Sequence, residues 1–310
     1  MSDSNPSRYL GVDVSKDTLV VAFRRQRWQF ANTAPGHRKF IAQLKKLPGP
    51  VHVVCEATGP YHLAMGLALQ EAGFAVSIAN PAWIHYFGRS EGLPAKNDPI
   101  DAALIEHFAN SKKPPADPPL CRERLALSER VTHRGQLVET IKVLRTHRQQ
   151  AGDGAVIAQI NKSIAVLEKR LEALDELLRG KIEANANWKR TFARLTATKG
   201  VGFVTALVLL VRMPELGSLN RGQCAALAGL APYDDDSGKQ SNRRSICGER
   251  HEVRAALYMA AVVAARFNPV LKIFYQRLIG QKKPFKVAIT AVMRKLLIYL
   301  NTLLKETVAT

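Results

Sequence analysis

Cysteine is scarce in this chain: Cys55, Cys121, Cys224 and Cys247 are the four among 310 residues, far apart and with no Cys-x-x-Cys pair. That spacing argues against a disulfide framework or a thiolate zinc site and fits reduced, mostly buried thiols. Acids are also few, 26 against 45 Lys and Arg, so the net charge is +19 and the isoelectric point lies near 10.0. An excess of that size points to a polyanionic partner, nucleic acid first. A membrane surface is the rival, but there is no charge-free apolar run of about 18 residues. No signal-peptide pattern follows MSDSNPSR, and the chain is expected to be cytosolic, without a membrane partner. Its 46% hydrophobic content excludes disorder, and its length allows two domains.

The cationic excess is uneven. The net charge is +2 over residues 1–110, +6 over 111–190 and +11 over 191–310. Metal-binding carboxylates and phosphate-binding cations need different neighbourhoods, so a chemical site early and a nucleic-acid grip late would produce this gradient.

Tyr9 to Phe23, YLGVDVSKDTLVVAF, reads as two strands around a turn at Ser15–Asp17, with Asp13 inside the first and Gly11 beside it. An acid inside a strand pattern either caps the turn or has a partner such as a metal ion. A third strand is expected at Arg27–Asn32, a helix at Gly36–Leu47, a strand at Val51–Cys55 ending in Glu56, and a helix at His62–Ala72 closed by Gly73. A strand at Ala75–Ala79, a helix from Trp83 and a helix opened by Asp98-Pro99 follow. Three antiparallel strands leading into alternating helices and parallel strands is the order of a ribonuclease-H-like domain.

The run Pro114–Pro119 reads as a stiff linker. The expected divisions are an α/β domain over 1–111, a linker over 112–120, a helical coiled coil over 121–187 and a mostly helical domain over 188–310. Ile157, Ile160, Ile164, Leu167, Leu171, Leu174 and Leu178 step by three and four like a heptad seam. The seam serves either self-association or an antiparallel hairpin with the preceding helix, whose Leu127, Val131, Val138 and Ile141 are similarly spaced. Further on, Gly200-Val201-Gly202 between two helices fits a helix-hairpin-helix motif, in which glycines let backbone amides approach a DNA phosphate, or only a tight turn.

Two constellations carry chemistry. Asp13 and Glu56 fall on strands that neighbour each other in a ribonuclease-H-like sheet, and Asp98 and Asp101 share a helix face. Such a cluster repels itself unless cations sit among the carboxylates. Mg²⁺, as one ion or two, would suit oxygen ligands and phosphodiester chemistry. Asp98 and Asp101 also make a good helix start, as cap and first-turn acid. The second constellation is the loop Asp234-Asp235-Asp236-Ser237-Gly238, followed by Lys239, Arg243, Arg244, Arg250 and Arg254. It reads either as a serine nucleophile with cations for phosphate oxygens or as a hydrated turn.

GVDVSK around Asp13, CEATGPYH around Glu56, KNDPIDAALI, KGVGFVTA and LAGLAPYDDDSG with VRAALYMAA together resemble the IS-one-ten family of insertion-sequence transposases. The resemblance runs over nearly the whole chain in order. It implies a RuvC-like DEDD domain, a coiled coil and a second transposase domain with an essential serine. Asp13, Glu56, Asp98 and Asp101 would then bind Mg²⁺, and Ser237 would attack DNA to form a phosphoserine link. Donor and target DNA, a bridge RNA that pairs with both, and a dimeric or tetrameric assembly in the bacterial cytosol at the nucleoid are the implied partners and setting. Two other readings remain: a RuvC-like nuclease such as a Holliday-junction resolvase, which cuts without a covalent intermediate, and a non-catalytic nucleic-acid binder, which would survive loss of Asp13.

Overall fold

The computed structural model describes residues 8–57, 59–92, 98–233, 245–246 and 250–305, with the side chains of 98–100, 232–233 and 245–246 excepted. The chain forms two compact units, Met1–Glu123 and Arg124–Thr310.

In the first unit β1 (Arg8–Val14), β2 (Thr18–Phe23) and β3 (Gln26–Ala31) form an antiparallel meander. Ser15 closes the first turn: its hydroxyl accepts from the Thr18 amide at 3.0 Å. Asp13, inside β1, pairs in register with Val20. After α1 (Ala34–Leu44), β4 (Val51–Glu56) lies parallel to β1, and after α2 (Tyr61–Glu71), β5 (Ala75–Ala79) lies parallel to β4. The sheet order β3-β2-β1-β4-β5 is the one expected for a ribonuclease-H-like sheet.

Strand alternation sorts the residues between two faces. Leu10, Val12, Val14, Val53 and Cys55 pack on Phe40 and Leu44 of α1 and Met65 and Leu69 of α2. The opposite face, with Tyr9 and Val54, packs on Ile84 and Phe87 of α3 (Pro81–Ser90) and Ile105 and Phe108 of α4 (Asp98–Lys112).

The proline-rich segment does not hang free as a linker. Asp117 donates its amide to the Val76 carbonyl at 2.8 Å, and its carboxylate accepts from the Ile78 amide at 2.7 Å. Ser77 donates to the Pro115 carbonyl at 2.6 Å, and Gln70 accepts from the Leu120 amide at 2.7 Å. β5 is an edge strand, and the segment satisfies edge groups that would otherwise be open to pairing.

The second unit begins with α5 (Arg122–Gln150), almost all of which it contains, and α6 (Gly154–Ala184), capped by Asp153. Arg134 grips Asp175 through two bonds of 2.6 and 3.0 Å, and Arg145 meets Glu168 at 2.7 Å. As numbers rise on α5 the partners fall on α6, so the two helices run antiparallel within the chain; of the seam positions, Ile164 and Leu178 are buried. Leu137 rather than Val138 is the buried member on α5; Val138 is 40% exposed. The periodicity allowed either residue, and the pairing with α6 decides it.

Then come α7 (Ala186–Thr196), α8 (Phe203–Arg212), α9 (Arg221–Leu227), α10 (His251–Phe267), α11 (Pro269–Gly280) and α12 (Phe285–Lys305). Leu207 and Leu209 of α8, Leu257 and Ala261 of α10, and Leu296, Leu297 and Leu300 of α12 share one core with Leu178 and Ile182 of α6. By length and composition α12 could cross a membrane, but it is half buried in this core. Its Asn301 accepts from the Gly217 amide and donates to the Leu219 carbonyl, both at 2.8 Å.

Two features are not apparent from the sequence. α11 was not foreseen because Leu271 is its one buried residue; Asn268 ends α10 and caps α11 with Pro269 at its first turn. On either side of the serine-bearing segment, β6 (Pro232–Tyr233) pairs with β7 (Ser245–Ile246), a ladder too short for alternation to reveal.

Candidate catalytic face

The carboxylate site begins with a glycine. A Cβ built on Gly11 would lie 2.3 Å from the Ala102 carbonyl oxygen and 2.3 Å from the Glu106 amide nitrogen. α4 therefore sits backbone-to-backbone on β1, an approach only glycine permits. Gly11 and Asp13 are two residues apart on one strand and share this face. Val12 pairs with Cys55 on β4, so the next positions, Asp13 and Glu56, lie side by side near the ends of two adjacent parallel strands, and Glu56 shares the α4-side face with Val54. Asp101 immediately precedes the Ala102 that touches Gly11. Asp13, Glu56 and Asp101 are each half-buried. Asp98 is the first residue of α4, with its side chain outside the described set.

A cross-brace that the sequence reading missed holds this end of the sheet. Asn32 donates to the Ser15 carbonyl at 2.8 Å and to the Tyr61 carbonyl at 3.1 Å, tying the turn after Asp13 to the start of α2. His37 meets the Asn32 amide oxygen at 2.7 Å, and burial lowers the His37 pKa and so favours a neutral ring. No spacing rule marks Asn32 and His37 as partners. Cys55, beside Glu56, is inert: burial, with Asp117 and Glu56 adding to it, pushes its thiol up to about 12.

The donor set, carboxylate oxygens from two strand ends and a helix start, fits a hard divalent cation and not a soft one. Among the described residues, no three His, Cys, Asp or Glu side chains gather closely enough to hold an ion as a group. The Asp98 carboxylate is not among them.

Ser237, Lys239, Arg243 and Arg244 lie outside the described residues; in the chain they fall between β6 and β7, where Tyr233 pairs with Ser245. Arg250 is engaged inside its own unit. It donates to the Arg212 carbonyl at 2.9 Å and to both Glu215 oxygens at 2.7 and 3.0 Å. Burial raises the Glu215 pKa, but the Arg250 bonds outweigh it and hold the carboxyl below its usual range. Arg254 is half-buried on α10. The two glycines divide their work. Gly200, at φ +106°, lets α10 approach, since a Cβ there would meet the Ala264 Cβ at 2.7 Å. Gly202 starts α8 with open space around it.

A ribonuclease-H-like sheet with acids at its strand ends, followed by a basic helical unit, is the plan of an enzyme acting on nucleic acid. Residues 10–151 match a DEDD transposase family model, and residues 193–276 match the model described as Transposase IS116/IS110/IS902 family. The chain is 28% identical over 305 residues to the pilin gene-inverting proteins of Moraxella bovis and Moraxella lacunata, with 93% of each chain covered. This chain belongs to the IS110 family of transposases and is an enzyme of DNA transposition or recombination. A DEDD transposase domain points to dependence on a divalent metal in general.

Proposed function

We propose that this transposase cleaves and exchanges DNA strands in a Mg²⁺-dependent reaction through a covalent phosphoserine at Ser237, guided by a bridge RNA. The observation that carries the metal half is the shared sheet face of Asp13 and Glu56 under the start of α4, fixed by the contact at Gly11. Asp13, Glu56, Asp98 and Asp101 would hold the ion or ions, which supply Lewis-acid polarisation of a phosphodiester oxygen. Ser237 Oγ forms the new bond to phosphorus as the bond to the leaving sugar oxygen breaks, and the hydroxyl proton passes in net to that oxygen. The serine role, the bridge RNA and the donor and target DNA rest on the motif resemblance. Gly238 beside Ser237 leaves space for a DNA backbone, and Lys239, Arg243 and Arg244 offer cations to the phosphate. Gly202 and the first amides of α8 supply a further phosphate contact of helix N-terminal type. Assembly into a dimer or tetramer is part of the same reading, with the outer faces of the α5–α6 hairpin as the contact.

The test is recombination of a supercoiled donor with its target, with Mg²⁺ present or chelated. Asp13→Asn and Asp101→Asn should abolish exchange while keeping the fold, and chelation should do the same to the wild type. Full exchange in excess chelator would sink the metal assignment, and integration at the same site after ribonuclease treatment would sink guidance by RNA.

A further inference from the structure

α3 presents two opposite faces. Ile84 and Phe87 enter the core against Ile105 and Phe108, whereas Trp83 and Tyr86, three residues apart, are 63% and 66% exposed. One turn further the same side carries Arg89, also exposed. Trp83 and Tyr86 do not stand on a flat surface. With Phe87, Ser90, Phe108, Lys112, Pro114 and Pro115 they line a groove of about 570 Å³, a size typical of ligand clefts (roughly 300–1,000 Å³). One wall is made where α4 ends: Lys112 is its last residue, Lys113 turns the chain at φ +48°, and Pro114-Pro115 follow. The lysine ammonium of Lys112 stands 5.7 Å from the centre of the Phe87 ring.

The chemistry of this groove selects its occupant. Its exposed aromatics, Trp83 and Tyr86, are amphipathic, its charged lining residue is a cation, and none of the described residues that line it is acidic. Flat rings with cations at the margin match a nucleobase and its phosphate, because bases stack on aromatic faces in any sequence while the backbone seeks positive charge. The position fits the enzyme's activity on DNA. α4 carries Asp98 and Asp101 at its first turn and Lys112 at its last, and 11 residues of helix span roughly 16 Å, a few nucleotides of strand.

We propose that the α3 groove is a stacking site for an unpaired base of the DNA strand on which the carboxylate face acts. Trp83 and Tyr86 supply the rings, and Lys112 and Arg89 neutralise the flanking phosphates. The site rests on the proposed reading of the carboxylate face and not on the serine chemistry. Its test is therefore made in chelator, where strands bind and are not cut.

The chain has three tryptophans, of which Trp28 is half-buried and Trp188 is 9% exposed, so Trp83 is the ring a bound base can reach. The full-length protein is titrated with an oligodeoxythymidylate of about 16 nucleotides, following anisotropy and tryptophan emission. Wild-type emission should be quenched on binding. Trp83→Phe should keep the affinity within about two-fold and lose most of the quenching, and the double variant Trp83→Ala/Tyr86→Ala should bind about ten-fold more weakly or worse. The salt slope should not change in that variant, whereas Lys112→Gln should reduce it by about 0.7. Melting curves that match the wild type establish that the variants are folded, and Trp83→Phe keeps the test open if the double variant is not. Unchanged DNA affinity in the double variant, or no quenching in the wild type, would overturn the proposal. So would lost binding confined to an oligoribonucleotide of the same length, which would assign the groove to RNA. A fall in solution mass with DNA binding intact would assign it to a second copy of the chain, again against the proposal.

Discussion

Gly11→Ala is the smallest change that tests how the carboxylate face is assembled. The added methyl would lie 2.3 Å from two backbone atoms of α4 and 2.9 Å from a third, the Glu106 Cα. Ordinary contact begins near 3.4 Å, so α4 must back away by about 1 Å. No side-chain truncation on α4 can absorb the clash, because the opposing atoms are main chain. Overpacking of this kind costs roughly 1–3 kcal/mol. The functional loss should be larger in proportion, since a displacement of about 1 Å among reacting groups can cost on the order of 10²-fold in rate. The shift moves Asp101 and Asp98 while leaving Asp13 and Glu56 on their strands. The assay is single-turnover recombination beside a urea melt, with Gly135→Ala as the control. Gly135 lies in α5 with nothing within 4 Å of an added Cβ. Alanine there should stabilise by about 0.5–1 kcal/mol and leave the rate alone. A Gly11→Ala enzyme of wild-type rate and stability would refute the seating of α4 on β1.

The hairpin and the buried histidines yield further expectations. Leu178 is fully buried and its neighbour Leu177 is 44% exposed. Leu178→Ala should cost roughly 2–5 kcal/mol in a urea melt, and Leu177→Ala within about 0.5 kcal/mol; equal effects would contradict the rotation of α6 about its axis. Burial lowers the pKa of His37 below the ordinary 6.5, and does the same to His52 against an opposing pull from Asp117. The unfolded chain therefore protonates first as the pH falls. Stability should be full above about pH 6.5 and decline below it, a decline that His37→Gln should soften. A melting temperature that rises on acidification to about pH 5.5 would contradict the neutral, buried state of both rings.

Much of the catalytic unit was legible because its sheet repeats at period two and its helices have clear ends. Gly73 closing a helix and the alternation of Arg27–Asn32 each state a local rule that the fold obeys, whereas the helix expected from Trp83 begins two residues earlier, at Pro81, with Asn80 as its cap. Asp13 and Glu56 could be placed on neighbouring strands from topology alone. What stayed hidden depends on partners distant in sequence. Gly11 reads as room beside an acid, but its reason is the α4 backbone some ninety residues later. Pro114–Pro119 has a linker's composition, and only the unsatisfied edge of β5 makes it a strap. Val138 and Leu137 are equally apolar, and the choice between them belongs to α6. Arg250 looked like one cation among several, yet Glu215 and the Arg212 carbonyl claim it. α11 buries so little that no apolar stripe announces it.

The central proposal is a covalent link between Ser237 and DNA whose formation needs the four carboxylates, and the direct measurement is a DNA–protein adduct trapped on a cleavable substrate and mapped by mass spectrometry. Tyr233, Ser241 and Ser245 are the competing hydroxyls of the same loop. The account predicts an adduct on Ser237 that is present in wild type and Tyr233→Phe and absent in Ser237→Ala and Asp98→Asn. An adduct on Tyr233, or wild-type recombination by Ser237→Ala, would contradict it.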